Sequence, residues 1–238
     1  MLQDLKKGET FIEDVPVPNC GHNEVLIKVS RSVISLGTER NVVQFGKSSY
    51  LQKAKQQPDK VKMVKNKIKT DGLIPTMEAV FSKLSNPITL GYSNVGVITE
   101  IGDGVECFKI GDRVVSASNH SEVVAVNKNL VAKVPDNVSD DQAAFTVVAA
   151  VSMQGLRVLK PKLGETVVVI GLGLLGQIMM DLLKANGCIP IGIDVDESKI
   201  LEAKKRHKNV FNSRKENINE NINFLTNEIG ADAVVITA

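Results

Sequence analysis

Three glycines and one aspartate carry the clearest chemistry in this 238-residue chain. Gly171, Gly173 and Gly176 form a G-x-G-x-x-G run directly after the apolar segment Val167-Val168-Val169-Ile170. In that spacing the first glycine permits a tight turn and the second lets the backbone approach a diphosphate. The third lets a helix pack closely on a strand. The helix that must begin at Leu174 and Leu175 offers unpaired N–H groups, and the positive end of its dipole, to phosphate oxygens. Asp194 follows Gly171 by 23 residues and closes the next apolar run. A carboxylate there accepts hydrogen bonds from a ribose 2′-OH and repels a 2′-phosphate, which favours NAD over NADP as the cofactor. The competing reading has the glycines serve only a compact turn and Asp194 cap the next helix. Strand, glycines, helix and acid fall in register, and that favours the dinucleotide site.

These residues need a parallel sheet to present them. From Glu165 onward the pattern alternates between strand and helix. Thr166–Ile170 is an uninterrupted apolar run, as expected for a strand buried on both faces. A helix follows from Leu174 to Asn186, stopped at Gly187, then a strand at Ile189–Ile193, a helix at Ser198–His207 and a short strand at Asn209–Asn212. Ile218, Ile222, Leu225 and Ile229 mark a third helix face, and Ala233–Thr237 a fourth strand. The order is that of a doubly wound α/β domain, whose complete form has roughly six strands. Four are legible, and the sequence stops at Ile236-Thr237-Ala238. The expectation is a fragment of a longer protein or a natural truncation, with a valine- and isoleucine-rich sheet edge left uncovered. Adenosine and diphosphate contacts would be retained, with hydride transfer impaired.

Upstream the signal is short β. Val25–Val29 and Ser32–Ile34 read as strands in a stretch from Leu2 to Gln44. Val95–Ile101, Arg113–Ser116 and Glu122–Val126 are strands separated by glycine turns, as in a small barrel or sandwich. Between these groups Lys47–Lys83 holds nine lysines against Asp59, Asp71 and Glu78, a net +6 that leaves −4 for the remainder. Val61, Val64 and Ile68 recur at helical spacing after Pro58, Asp71-Gly72 ends that helix and Pro75 opens another. This reads as an inserted helical subdomain. Its lysines either steer an anionic substrate, such as a nucleotide- or phospho-sugar, or form the solvated faces of amphipathic helices. Ser139 and Gln142 form a capping-box pair that should start a further helix.

Composition excludes several classes. At 43% hydrophobic and 24% charged residues the chain is of ordinary globular make-up, not disordered or coiled coil. A net charge of +2 gives no electrostatic case for a nucleic-acid partner. No apolar run suits a membrane helix and the N-terminus has no apolar signal core, so no membrane partner is expected. Cys20, Cys107 and Cys188 lie far apart, which excludes a cysteine-built zinc knuckle and a disulfide scaffold and suits a reducing cytoplasm. Cys188 reads as a small buried hydrophobe, and His22 and His207 as surface residues.

With these residues in place the sequence resembles the medium-chain dehydrogenase/reductase superfamily, the alcohol dehydrogenase-like proteins. Gly102-Asp103-Gly104 through Gly111-Asp112-Arg113-Val114 is similar to that family's barrel signature, followed by the glycine motif. Lys199 matches a family lysine near the adenosine ribose. The resemblance covers nearly everything except residues 47–87. It implies a GroES-like β-barrel catalytic domain at 1–150 with a helical insert at about 47–87. An NAD-binding Rossmann domain at 151–238 follows, incomplete after its fourth strand, with chemistry in the cleft between the two. A narrower resemblance rests on Ile34–Arg40, Leu90–Gly96 and the lysine-rich insert. These are similar to the alcohol dehydrogenase-like half of bacterial two-part dehydrogenases associated with surface-polysaccharide synthesis.

The departures from the family matter for chemistry. Where zinc members place a cysteine this chain has Leu36, their Gly-His-Glu is Gly91-Tyr92-Ser93, and the third ligand position falls near Val148. The loop of four cysteines that holds a second zinc is missing after Val115. Leucine and valine offer no lone pair, so no metal ligand set is expected. The resemblance therefore implies a zinc-independent, NAD-dependent oxidoreductase that interconverts an alcohol and a carbonyl of a small-molecule substrate, a sugar or nucleotide-sugar being one candidate.

Alcohol oxidation still requires proton removal. Thr38 matches the family hydroxyl that passes the substrate proton on. Tyr92 stands at a vacated ligand position, either to hydrogen-bond the substrate oxygen or only to fill the space. Glu39 and Arg40 make supporting or inter-domain contacts. His120, where the zinc loop is absent, either faces the cleft or is an exposed loop residue. The alternative function is a non-catalytic nucleotide-binding or interaction module. A homodimer is a candidate assembly.

Overall fold

The computed structural model describes residues 1–237, which divide into two compact units, residues 1–147 and residues 148–237. In chain order the first unit contains β1 (Leu2–Gln3), β2 (Thr10–Phe11), β3 (Glu24–Ser32), α1 (Leu36–Lys47), α2 (Tyr50–Gln56), α3 (Pro58–Asp71) and α4 (Leu73–Ser85). It continues through β4 (Ile88–Thr89), β5 (Asn94–Ile101), β6 (Arg113–Ser116), β7 (Val123–Asn127), β8 (Val131–Lys133) and α5 (Asp140–Ala143).

Its main sheet has the order β7-β3-β5-β6-β8 and is antiparallel throughout. Val25 and Ile27 of β3 pack with Ile98, Val114, Val124 and Val126 on one face. Val95 and Val115 meet Val134, Ala143 and Ala144 on the other. With both faces covered, β3 and β5 carry apolar residues in near succession rather than in strict alternation. Pairing of β3 with β5 shifts between Leu26 and Ile27 and again between Val29 and Arg31, irregularities that bend and twist a strand. A second, smaller sheet of order β2-β1-β4 has no counterpart in the sequence reading.

The helical region is larger than its sequence pattern suggests. Residues 36–47 form α1, where short β was expected, so helix begins well before position 47. Gly37, Gly46 and the β-branched pair Val42-Val43 weaken the local helical signal. The Glu39 carboxylate accepts the backbone N–H of Ser35 at 2.8 Å and caps the helix start in place of a serine side chain. Pro58 opens α3 and Gly72 closes it, as the spacing predicts. One lysine of the insert departs from a solvated face: Lys53 is buried, and its ammonium donates to the Leu5 carbonyl at 2.6 Å.

The second unit follows α6 (Thr146–Leu159) with β9 (Thr166–Ile170), α7 (Leu174–Ala185), β10 (Ile189–Asp194), α8 (Glu197–Lys204), β11 (Val210–Asn212), α9 (Ile218–Leu225) and β12 (Ala233–Ile236). These strands form a parallel sheet of order β11-β10-β9-β12. One face buries Val167, Val169, Met179, Met180, Leu183, Ile200 and Cys188, and the other buries Val168, Ile191 and Ile193. β9 is thus covered on both sides, as its unbroken apolar run requires. Each large side chain so buried contributes about 1.5–3 kcal/mol, which makes β9 the anchor of the turn that follows it. His207 is not the surface residue expected: it is buried, with Nε2 2.8 Å from Asp181 Oδ1 on α7, because the chain folds back after α8. His22 is exposed and Cys188 buried, as expected. Among the described residues no helix is long and apolar enough to cross a membrane.

Candidate functional site

The turn after β9 assigns a separate task to each glycine. Gly171 has φ +95°, a left-handed conformation costly for other residues, and its N–H donates to the Ile193 carbonyl at 2.8 Å. Gly173 is the N-cap of α7 with no side-chain cap, and a Cβ placed there would meet no atom within 4 Å. The N–H groups that open α7, those of Leu174 and Leu175 included, have no intrahelical acceptor to pair with. At Gly176 a Cβ would overlap the carbonyl oxygen of Gly171, so only glycine lets α7 sit this close to the turn. One glycine bends the chain, one leaves open space beside a helix N-terminus, and one sets the packing distance. A diphosphate fits this donor set and this opening.

Asp194, at the end of β10, is only 7% exposed. Its Oδ2 accepts the N–H of Leu172 at 2.7 Å, while Oδ1 accepts those of Val195 and Asp196 at 2.7 and 2.8 Å. Lys199 lies 3.7 Å from Oδ2. Burial pushes the Asp194 carboxyl up, but the N–H groups of Leu172, Asp196 and Val195 and the Lys199 ammonium outweigh it and hold the group below the ordinary aspartate range. The acid is therefore an anion bonded to the glycine turn itself. Oδ1 already accepts two N–H groups, whereas Oδ2 accepts one and keeps a second lone pair able to accept a hydroxyl.

In the first unit the structure brings two of the other candidates together. His120 Nε2 lies 3.0 Å from Glu39 Oε2, and both side chains are buried. The other ring nitrogen, Nδ1, meets Ser32 Oγ at 2.9 Å. His120 is thus neither an exposed loop residue nor a free base, since both of its nitrogens are engaged. Its backbone N–H donates to Leu90 at 2.8 Å, and a Cβ on Gly91 would stand 2.6 Å from its ring, so the bare glycine admits the imidazole. Thr38 is exposed on the first turn of α1. Tyr92 is half-buried next to Ser93, whose hydroxyl donates to the Ala144 carbonyl at 2.5 Å. Sequence reasoning passed over Ser32 and Ser35. The four-residue step from Ser35 to Glu39 resembles a capping pair and was a usable signal, whereas nothing local connects Ser32 to His120.

Comparison with known proteins agrees with this architecture. The model of the alcohol dehydrogenase GroES-like domain matches residues 60–136. The chain is 28% identical over 228 residues to an L-threonine 3-dehydrogenase of a Marinomonas species, covering 82% of this chain and 57% of that protein. It is 34% identical over 155 residues to D-guloside 3-dehydrogenase of Escherichia coli, covering 63% and 44%. The structure of E. coli quinone oxidoreductase complexed with NADPH superposes with a TM-score of 0.65 at 22% identity, covering 91% of this chain and 58% of that one. These matches agree with the resemblance to the medium-chain dehydrogenase/reductase family. It spans about half the length of the curated relatives it matches. Against the zinc-binding pattern of that family, Leu36, Tyr92 and Val148 supply at most one oxygen donor. Among the described residues no group of three His, Cys, Asp or Glu side chains is placed to hold a metal ion.

Proposed function

We propose that this chain carries the cofactor-binding and substrate-binding parts of an NAD-dependent oxidoreductase that interconverts an alcohol and a carbonyl without zinc. The single observation that carries this reading is the turn at Gly171–Gly176, open at Gly173 and bonded through the Leu172 N–H to Asp194. In the proposed division, the second unit holds the dinucleotide. Gly173, Leu174 and Leu175 face the diphosphate through backbone N–H groups, and Asp194 and Lys199 meet the adenosine ribose. An anionic acceptor at the 2′-hydroxyl position disfavours a 2′-phosphate, which supports NAD even though a structural neighbour is complexed with NADPH.

When bound, the nicotinamide supplies the hydride acceptor or donor. The protein must supply a path for the proton. Thr38, exposed at the start of α1, is assigned the hydroxyl that takes up the substrate proton, and Tyr92 the group that hydrogen-bonds the substrate oxygen. Glu39 and His120 are saturated by each other and by Ser35 and Ser32, so they act by holding these segments. Zinc independence is supported by the donor chemistry at Leu36, Tyr92 and Val148. A polyol or sugar alcohol is the favoured substrate class, supported by the relative that acts as a D-guloside 3-dehydrogenase.

Isothermal titration of the purified chain with NADH and NADPH tests the cofactor assignment, with tighter binding of NADH expected. Tighter binding of NADPH would contradict it. Absorbance at 340 nm against a panel of sugar alcohols tests the activity, and dinucleotide binding without turnover on any of them would favour a non-catalytic nucleotide-binding module.

A further inference from the structure

We propose that Thr237, the residue following β12, is a positioning residue for the diphosphate turn: its hydroxyl and the Asp194 carboxylate clamp the two ends of a single peptide unit. The carbonyl of Gly171 accepts from Thr237 Oγ1 at 2.7 Å. The N–H of Leu172, on the opposite edge of the same planar peptide, donates to Asp194 Oδ2 at 2.7 Å. Asp194 ends the strand on one side of β9 and Thr237 follows the strand on the other side, so the clamp closes across the carboxyl end of the central strand.

The position of Thr237 is itself secured, because its N–H donates to the Ile170 carbonyl at 2.9 Å. Gly176 belongs to the same device. A Cβ there would stand 2.7 Å from Thr237 Oγ1 as well as overlapping the Gly171 carbonyl, so the missing side chain makes room for the hydroxyl. The consequence concerns an anionic ligand. On its N-terminal side this peptide is flanked by Gly171, which has no side chain to fix its orientation. Rotation of the Gly171–Leu172 unit would break both hydrogen bonds and change which backbone groups face an anion at the N-terminus of α7. With both ends held, the carbonyl stays bonded to Thr237 beside Gly176 and the peptide keeps a single orientation in front of α7. Asp194 then serves the turn and the ribose at once, and Thr237 serves the turn alone.

This inference rests on the dinucleotide reading, and the experiment separates the two. NADH is titrated by fluorescence into the full chain as wild type, Thr237→Ala and Thr237→Ser, with melting curves for each. Loss of one hydrogen bond that orients the turn should weaken NADH binding about 3–10-fold in T237A. T237S, which restores only the hydroxyl, should return to within about 2-fold of wild type. Exchange of the Leu172 amide should be faster in T237A than in wild type or T237S, a change that simple loss of packing by a methyl group would not reverse. Equal NADH affinity in wild type and T237A, or T237S as weak as T237A, would overturn the clamp. Wild type failing to bind NADH would instead overturn the dinucleotide assignment. If T237A does not fold, Thr237→Cys replaces it, keeping the size while exchanging a strong donor for a weak one, with the same loss expected.

Discussion

The carboxylate of Glu39 lies 3.0 Å from the imidazole Nε2 of His120, a residue 81 positions later in the chain, and both are nearly sealed from solvent. This contact joins the first turn of α1, which carries Thr38, to the segment Leu90–Gly91 that precedes Tyr92, because the His120 backbone is bonded to Leu90. Removing one partner of a buried polar pair leaves the other without compensation. His120→Ala, which leaves Glu39 Oε2 unsatisfied, should therefore destabilise the first unit by about 1–3 kcal/mol. Glu39→Gln, which keeps an acceptor for the Ser35 N–H, should cost about 1–2 kcal/mol. Urea unfolding of the single and double variants measures both, and the double variant should cost less than the sum of the two.

The glycines of the turn should separate stability from binding. Gly173→Ala adds a methyl group to open space and should alter stability by less than about 1 kcal/mol, while crowding the approach of NADH and weakening it at least about tenfold. Gly176→Ala drives a methyl group into the Gly171 carbonyl and should cost about 1–3 kcal/mol of stability in addition to binding. Thermal melts beside NADH titrations distinguish the two patterns, and an equal stability loss in both variants would show that the assignment of tasks is wrong.

Asp194 links acid stability to cofactor choice. Its carboxyl titrates below the ordinary value of 3.8, so the stability it contributes is complete above that pH and disappears as the pH falls through the lowered value of the folded state. Asp194→Asn removes this dependence. As the pH falls below about 4 the wild type should lose more unfolding free energy than the variant, whereas above about pH 5 the difference should be constant. The same substitution removes the charge that repels a 2′-phosphate, so the preference for NADH over NADPH should fall about tenfold.

Metal dependence gives a fourth check. With leucine, tyrosine and valine at the family's ligand positions, elemental analysis of the purified chain should find less than about 0.1 zinc per chain, and a chelator should leave the melting temperature within about 1 °C. One tightly held zinc would place the donors elsewhere and undo the zinc-independent reading.

The second unit was legible because its information is local. Thr166–Ile170 needs no partner to declare itself a strand buried on both faces, and Gly171, Gly173 and Gly176 follow it at spacings that fit a strand–turn–helix. Even there His207 was misread, since the partner that buries it, Asp181, stands 26 residues away on another helix. In the first unit the helix at Leu36–Lys47 was missed, because glycine and β-branched residues hide the period and contacts from distant segments hold it.

From sequence alone followed the parallel sheet, the glycine turn, the acid at position 194 and the lack of metal-binding side chains at the family's ligand positions. These depend on residue type and on spacing along one stretch of chain. Only the tertiary structure decided that His120 is spent on Glu39, that Lys53 is buried, and that Thr237 and Asp194 grip one peptide from its two ends. Such pairings arise when segments far apart in sequence become neighbours, and a hydrogen bond formed across that distance leaves no periodicity behind in the chain.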